Sequence, residues 1–245
     1  MSDGAAMASA ATPRTAPPAA SPLIVATGIT KNFHDVDREI RVLQDLSLTV
    51  QPGELIAVVG QSGTGKSTLL NILGSLERPS RGTVLFEGQD LFALDERALA
   101  DFRNRKLGFV FQFHYLLADF NALENVMMPA LIARVPEREA RERAEQMLAM
   151  VGLGDKLHRR PAELSGGEQQ RVAVARAVVQ SPRLVLADEP TGNLDTHTGE
   201  AIHDLLCTIN NQKNITFVIA THNDRLAVRA DRVLRMAEGK LAQQS

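Results

Sequence analysis

Gly60-Gln61-Ser62-Gly63-Thr64-Gly65-Lys66-Ser67-Thr68 has the residue types and spacing of a loop that wraps an anion. Glycines let successive backbone N–H groups turn toward one centre. Lys66 supplies a cation that can reach β- and γ-phosphates, and Ser67 a hydroxyl suited to Mg²⁺. A second set is the acidic pair Asp188-Glu189. Two acids at the end of an apolar run need a cation or a catalytic use. Asp188 suits Mg²⁺, held directly or through water, and Glu189, one residue further out, suits polarising a water against a γ-phosphate. His222 follows another apolar run, 215–220, and in this company reads as a γ-phosphate contact. Ser165-Gly166-Gly167 opens a helix whose free N–H groups and dipole also receive an anion, though the same serine serves as an N-cap.

These groups need elements to position them. Leu55-Ile56-Ala57-Val58-Val59 reads as a buried strand before the glycine loop, and Thr68-Leu69-Leu70-Asn71-Ile72-Leu73 as a helix after it. That context separates a phosphate loop from a chance Gly/Ser turn. Residues 184–188 and 215–220 read as further buried strands. Upstream, 23–33 and 39–50 read as two strands joined by the polar loop 34–38, with partial alternation at Leu43, Leu46, Leu48 and Val50. Residues 52–54 and 79–82 read as turns, 83–86 as a strand, 87–90 as a tight turn, 94–105 as a helix and 107–111 as a strand ending at Gln112. Residues 136–151 read as an amphipathic helix with Ala140, Ala144, Met147, Leu148 and Val151 on one face. Residues 191–195 read as a polar turn, and 232–241 as a hairpin turning at Glu238-Gly239.

Two aromatic features carry alternatives. Phe33 is either a core residue at a strand end or a platform for an adenine ring, a stacking contact worth about 1–3 kcal/mol. Phe109, Phe111, Phe113, Tyr115 and Phe120 are five of the ten aromatics in the chain. The stretch 113–120 follows a strand end without a helical or strand period, so it is either locally packed or a surface for a partner.

A chain of 245 residues with 44% hydrophobic content suits one large α/β domain, with room for a subdomain. The net charge of −2 gives no basic field for nucleic acid. The single cysteine, Cys207, excludes an internal disulfide and is compatible with a reducing compartment. No apolar run approaches the ~18–20 residues that span a bilayer. Residues 1–22, rich in Ala, Ser, Pro and Thr, lack the apolar centre of a signal peptide and read as a disordered tail before a domain at 23–245. The expected place is cytoplasmic, with any membrane contact indirect.

Taken in order, Phe33, the loop at 60–67, Gln112, Leu164-Ser165-Gly166-Gly167-Glu168-Gln169, Asp188-Glu189, Asn193-Leu194-Asp195 and His222 resemble the nucleotide-binding subunit of an ABC transporter over about residues 23–241. The resemblance implies a P-loop NTPase core with a RecA-like mixed sheet, an antiparallel β subdomain and a helical subdomain at about 113–165. It implies ATP and Mg²⁺ as cofactors and makes Phe33 the adenine platform. It also implies a homodimer with ATP between 60–68 of one copy and Ser165, Gly166, Gly167 and Asp195 of the other. Glu189 would be the general base, His222 would hold the γ-phosphate, and Gln112 would reach Mg²⁺ beside Ser67 and Asp188. Phe111-Gln112-Phe113-His114-Tyr115-Leu116-Leu117-Ala118-Asp119-Phe120, then Ala122-Leu123-Glu124-Asn125-Val126, resemble the lipoprotein-releasing branch of the family. That branch implies two membrane-spanning permease subunits docked near 113–120. It implies work at the cytoplasmic face of the inner membrane of a Gram-negative bacterium, and release of lipoproteins toward the outer membrane. Macrolide or peptide exporters and the cell-division complex are the neighbouring alternatives. ABC ATPases of repair and chromosome structure separate their two anion motifs by long coiled coils. The interval here has no room for one.

Overall fold

The computed structural model describes residues 21–35, 38–223 and 227–243. The expected tail lies outside the described residues up to position 20, as do residues 36 and 37 of the expected loop. β1 (Ile24–Asp35) and β2 (Arg38–Val50) pair antiparallel. β3 (Leu55–Val59) comes next, followed by β4 (Arg81–Phe86), β5 (Gln89–Asp90), β6 (Leu107–Phe111), β7 (Leu184–Asp188), β8 (Thr216–Thr221), β9 (Arg232–Ala237) and β10 (Lys240–Gln243). Among the described residues they form a four-stranded antiparallel sheet, β2-β1-β4-β5, and a six-stranded sheet, β10-β9-β3-β8-β7-β6. The six-stranded sheet is parallel from β9 to β6, and β10 returns antiparallel on β9.

The incomplete alternation in β2 has a local cause. Leu43, Leu46, Leu48 and Val50 are all buried, yet the first step is three residues. The register between β1 and β2 shifts there, and Asp45 takes the left-handed region at φ 49°. The bulge absorbs one residue and returns the apolar set to the same face. The expected turns shrink slightly for a similar reason. Arg81 already pairs with Thr30, and Gln89 and Asp90 pair back on β4, so only the tip at Glu87-Gly88 remains a turn.

Alternate residues of the parallel strands feed two cores. Ile56, Val58, Leu184, Leu186, Val218 and Ala220 pack into one cluster with the four-stranded sheet and α1 (Lys66–Leu73). Leu55, Val185, Ala187, Phe217 and Ile219 pack into the other, with residues of α3 (Ala122–Ile132), α4 (Glu137–Met150), α5 (Gly166–Val178) and α6 (Thr196–Lys213). Both faces of the sheet are thus covered, which is why its strands read as continuous apolar runs. α2 (Glu96–Lys106) precedes β6. α3 and α4 pack on each other and on α5, and Ala140, Ala144, Met147 and Leu148 turn inward as the periodicity requires. No helix of the described residues is long and apolar enough to cross a membrane.

Candidate nucleotide site

Strand register builds the site. Val59 lies opposite Thr221, Ala220 opposite Asp188, and Asp188 opposite Phe111. The residues that follow these ends are therefore neighbours along one edge: Gly60 after β3, His222 after β8, Glu189 after β7 and Gln112 after β6. Open parallel sheets place ligands at this edge, beyond the carboxyl ends of the strands.

The loop 60–65 is closed by its own residues. Thr64 donates from Oγ1 to the Gln61 carbonyl at 2.9 Å. Lys66 Nζ donates to the carbonyls of Gly60 at 2.8 Å and Gln61 at 3.0 Å. Gly65 caps α1 at φ 103°, where a Cβ would sit 2.9 Å from Leu43 Cδ2 and 3.0 Å from the Val42 carbonyl oxygen. Only glycine fits there without displacing β2. Lys66, the first residue of α1, is buried at the dipole's positive end, while Gln61, Ser62, Gly63 and Ser67 are exposed and Thr68 half-buried.

Glu189 is fixed over this loop. Its backbone takes the left-handed region at φ 47°, a strained setting for a non-glycine residue that costs about 1–3 kcal/mol. Its N–H donates to the Ala220 carbonyl, and its own carbonyl accepts from Gly192. One carboxylate oxygen accepts from His222 Nδ1 at 2.8 Å and from the His222 backbone N–H at 3.3 Å. An ionised carboxylate only accepts, so Nδ1 is the donor in this contact. The other oxygen lies 3.7 Å from Lys66 Nζ. His222, Glu189 and Lys66 thus form one chain of contacts. A cleft of about 190 Å³, lined by Val59, Gly60, Gln61, His222 and Arg235, opens beside it.

Asp188, next to Glu189, has a buried Oδ1 with no hydrogen-bond partner. A carboxylate oxygen held out of water without a donor is what a divalent cation satisfies, so Asp188, with Ser67 at the head of α1, fits Mg²⁺. Gln112 is tied to the turn after β7 through its amide nitrogen and its backbone carbonyl. Its Nε2 donates to Asn193 Oδ1 at 2.8 Å, and Asn193 donates back to the Gln112 carbonyl at 3.2 Å. Gly192 allows this, because a Cβ there would lie 2.9 Å from Gln112 Nε2. The composition of the turn names Asn193; its pairing with Gln112 is visible only in three dimensions.

Three predicted groups stand away from this cluster. Ser165 caps α5 in a reciprocal box with Glu168, whose carboxylate also pairs with Lys156. The Lys156 contact first, and the Ser165 N–H second, hold Glu168 down at about 2. Ser165 and Gly166 are exposed. Gly167 is buried against α6, and a Cβ on it would fall 2.3 Å from Thr198 Cγ2. Asp195 caps α6 through the Thr198 N–H. The Thr198 hydroxyl first, and its N–H second, lower the Asp195 carboxyl below the usual range. Phe33 stands on β1, 39% exposed, with Lys31 Nζ 4.9 Å from its ring centre. It is not a core residue.

Residues 43–192 match the ABC transporter family. The chain belongs to the ABC transporter family. Among similar ABC proteins, the lipoprotein-releasing system ATP-binding protein LolD of Geobacter metallireducens is 52% identical over 221 residues, covering 90% of this chain and 98% of that one. LolD of Pseudomonas fluorescens is 53% identical over 211 residues, 86% of this chain and 93% of that one. Among solved structures, the dimeric post-hydrolysis state of the ATP-binding cassette MJ0796 bound to ADP and Pi aligns with a TM-score of 0.84 at 36% identity, over 91% of this chain and 98% of that one. The ABC fold expected from the sequence is therefore present: an α/β core with a mixed sheet, an antiparallel sheet and packed helices. So is the expected activity class, an ABC-type ATPase.

Proposed function

We propose that the chain is the ATP-hydrolysing subunit of a complex that releases lipoproteins from the inner membrane toward the outer membrane. The observation that carries the chemistry is the contact chain Lys66–Glu189–His222 beside the unpartnered Asp188 oxygen. Glu189, oriented by His222, takes the proton of the attacking water. Lys66 and the N–H groups of 60–68 hold the β- and γ-phosphates. Ser67 and Asp188 would hold Mg²⁺, with Gln112 as a further ligand; the ion supplies charge neutralisation on the phosphate oxygens. Phe33 stacks the adenine. Ser165, Gly166, Gly167 and Asp195 serve the nucleotide of a second copy, which makes the working unit a homodimer.

The partner surface belongs to the same reading. Residues 113–165 act as the helical subdomain. Phe113 and Tyr115 are 61% and 66% exposed on the loop after β6. Below them a groove of about 370 Å³ runs between α2, β6, α3 and α5, lined by Arg103, Phe109, Phe111, Pro129 and Arg176 among others. Two membrane-spanning permease subunits dock on this face. The chain itself works at the cytoplasmic side of the inner membrane, without direct lipid contact and without nucleic acid. The likeness to LolD over nearly the whole chain supports lipoprotein as cargo.

The test is reconstitution of the chain in liposomes with the membrane subunits that co-purify with it, loaded with an acylated lipoprotein. ATP-dependent release into the soluble phase, absent with Glu189→Gln, is the expected result. ATP hydrolysis that drives macrolide or peptide efflux instead, with no lipoprotein released, overturns the cargo and leaves the ATPase reading intact.

A further inference from the structure

The exposed loop after β6 is held from two sides. From α5, Arg176 donates through Nη1 to the Tyr115 carbonyl and through Nη2 to the His114 carbonyl, both at 2.8 Å. From α3, the fully buried Asn125 accepts from the Leu117 N–H and donates to the carbonyls of Leu117, Phe120 and Asn121. Phe113 and Tyr115 thus stand outward on a backbone that is pinned. Tyr115 is held in the left-handed region at φ 46°, a conformation that needs such a clamp in a bulky residue.

Arg176 is a costly choice for a bolt. Burial pulls its guanidinium below its usual pKa, and two loop carbonyls meet its N–H groups. Its planar fork meets both carbonyls at once, which a lysine cannot reproduce. Arg176 also lies in the last turn of the helix that Ser165 caps. The two residues are separated by roughly 16 Å of continuous helix at 1.5 Å per residue.

We propose that Arg176 is a positioning residue that makes the loop bearing Phe113 and Tyr115 move as one body with the Ser165 end of α5. A helix does not compress along its axis. A displacement of the Ser165 end by nucleotide is therefore delivered to the carbonyls of His114 and Tyr115. This rests on the reading above that Ser165–Gly167 engage the nucleotide of a second copy. It adds that the setting of the exposed aromatics is read out from that contact through one side chain.

Tyr115 is the only tyrosine of the chain, and there is no tryptophan. Replacing it globally by 3-fluorotyrosine gives one ¹⁹F resonance on the loop in question. The experiment uses the full chain in a Glu189→Gln background with Mg²⁺ and ATP, and sedimentation reports the dimer. Expected is an ATP-dependent shift of the resonance with Arg176 intact, its loss in Arg176→Met, and reduction by at least half in Arg176→Lys, with the dimer still formed. If Arg176→Met fails to fold, the lysine variant, which keeps the charge and loses the fork, decides. A dimer with an unmoved resonance when Arg176 is intact, or with an undiminished shift in either variant, overturns the proposal. Absence of an ATP-dependent dimer with Arg176 intact removes the composite-site reading and the proposal together, and sedimentation tells this case from the others.

Discussion

At the scale of single residues, the site works by giving each carboxylate of the acidic pair a different neighbourhood. Glu189 accepts from His222 and faces Lys66, whereas one oxygen of Asp188 is buried without a donor. The first arrangement suits a general base; the second suits a cation ligand. Glu189→Gln keeps size and loses the basic oxygen, so kcat falls by about 10²–10⁴-fold while ATP affinity is retained. Single-turnover hydrolysis and fluorescent-nucleotide titration separate the two. Lys66→Ala acts on the other term, and the same titration should show weakened binding. A third residue responds to pH. His203 is buried on α6 with Nε2 3.0 Å from Thr191 Oγ1 in the turn that follows Glu189. Burial, with the Arg229 guanidinium second, lowers its pKa from 6.5 to about 4. The unfolded chain therefore takes a proton that the folded chain refuses, and stability falls as pH drops from about 6.5 toward 4. The slope is about 1.4 kcal/mol per pH unit inside that window and vanishes above it. Urea midpoints at pH 7, 6 and 5 should show this fall in the natural chain and its flattening in His203→Gln.

At the scale of elements, much of the site was legible because it lies at strand ends. Apolar runs before Gly60, Glu189 and His222 mark buried parallel strands, and the edge they share follows from the fold class alone. The bulge at Asp45 was not legible, since a period-two pattern has no symbol for an inserted residue. The helix α6 was missed too: residues 191–195 read as a turn, although Asp195, with Ile202, Leu206 and Ile209 beyond it, carries an N-cap and a buried face. Least legible were long-range polar ties, such as Gln112 to Asn193 or Arg176 to the loop carbonyls, whose partners are set by packing. One such tie is steric and can be tested as a pair. Gly167→Ala pushes a Cβ against Thr198 Cγ2, a clash at 2.3 Å. Overpacking of this kind costs about 1–3 kcal/mol. Thermal melting should show the loss, and adding Thr198→Ser, which deletes that methyl, should recover most of it. Equal melting temperatures for the single and double variants would mean that α5 and α6 part freely.

At the scale of the whole molecule, the chain holds two glycine-rich helix starts in different surroundings. The Lys66 end belongs to the Glu189–His222 cluster, whereas the Ser165 end is exposed and packed beside α6. If each site takes its phosphate loop from one copy and its serine end from another, defects in the two halves must complement. A chain with Lys66→Ala keeps a sound serine end; a chain with Ser165→Arg keeps a sound phosphate loop. Each alone forms two broken sites per dimer. Mixed in equal amounts, half of the dimers contain one copy of each, and in these one site joins the two sound halves while the other joins both faults. The mixture should therefore regain up to about a quarter of the natural activity, as two-fold symmetry and random pairing require. Its rate should also rise with the square of protein concentration where dimers are scarce. A mixture as inactive as its components would show that each chain completes its own site, and the exposed serine end would then need another explanation.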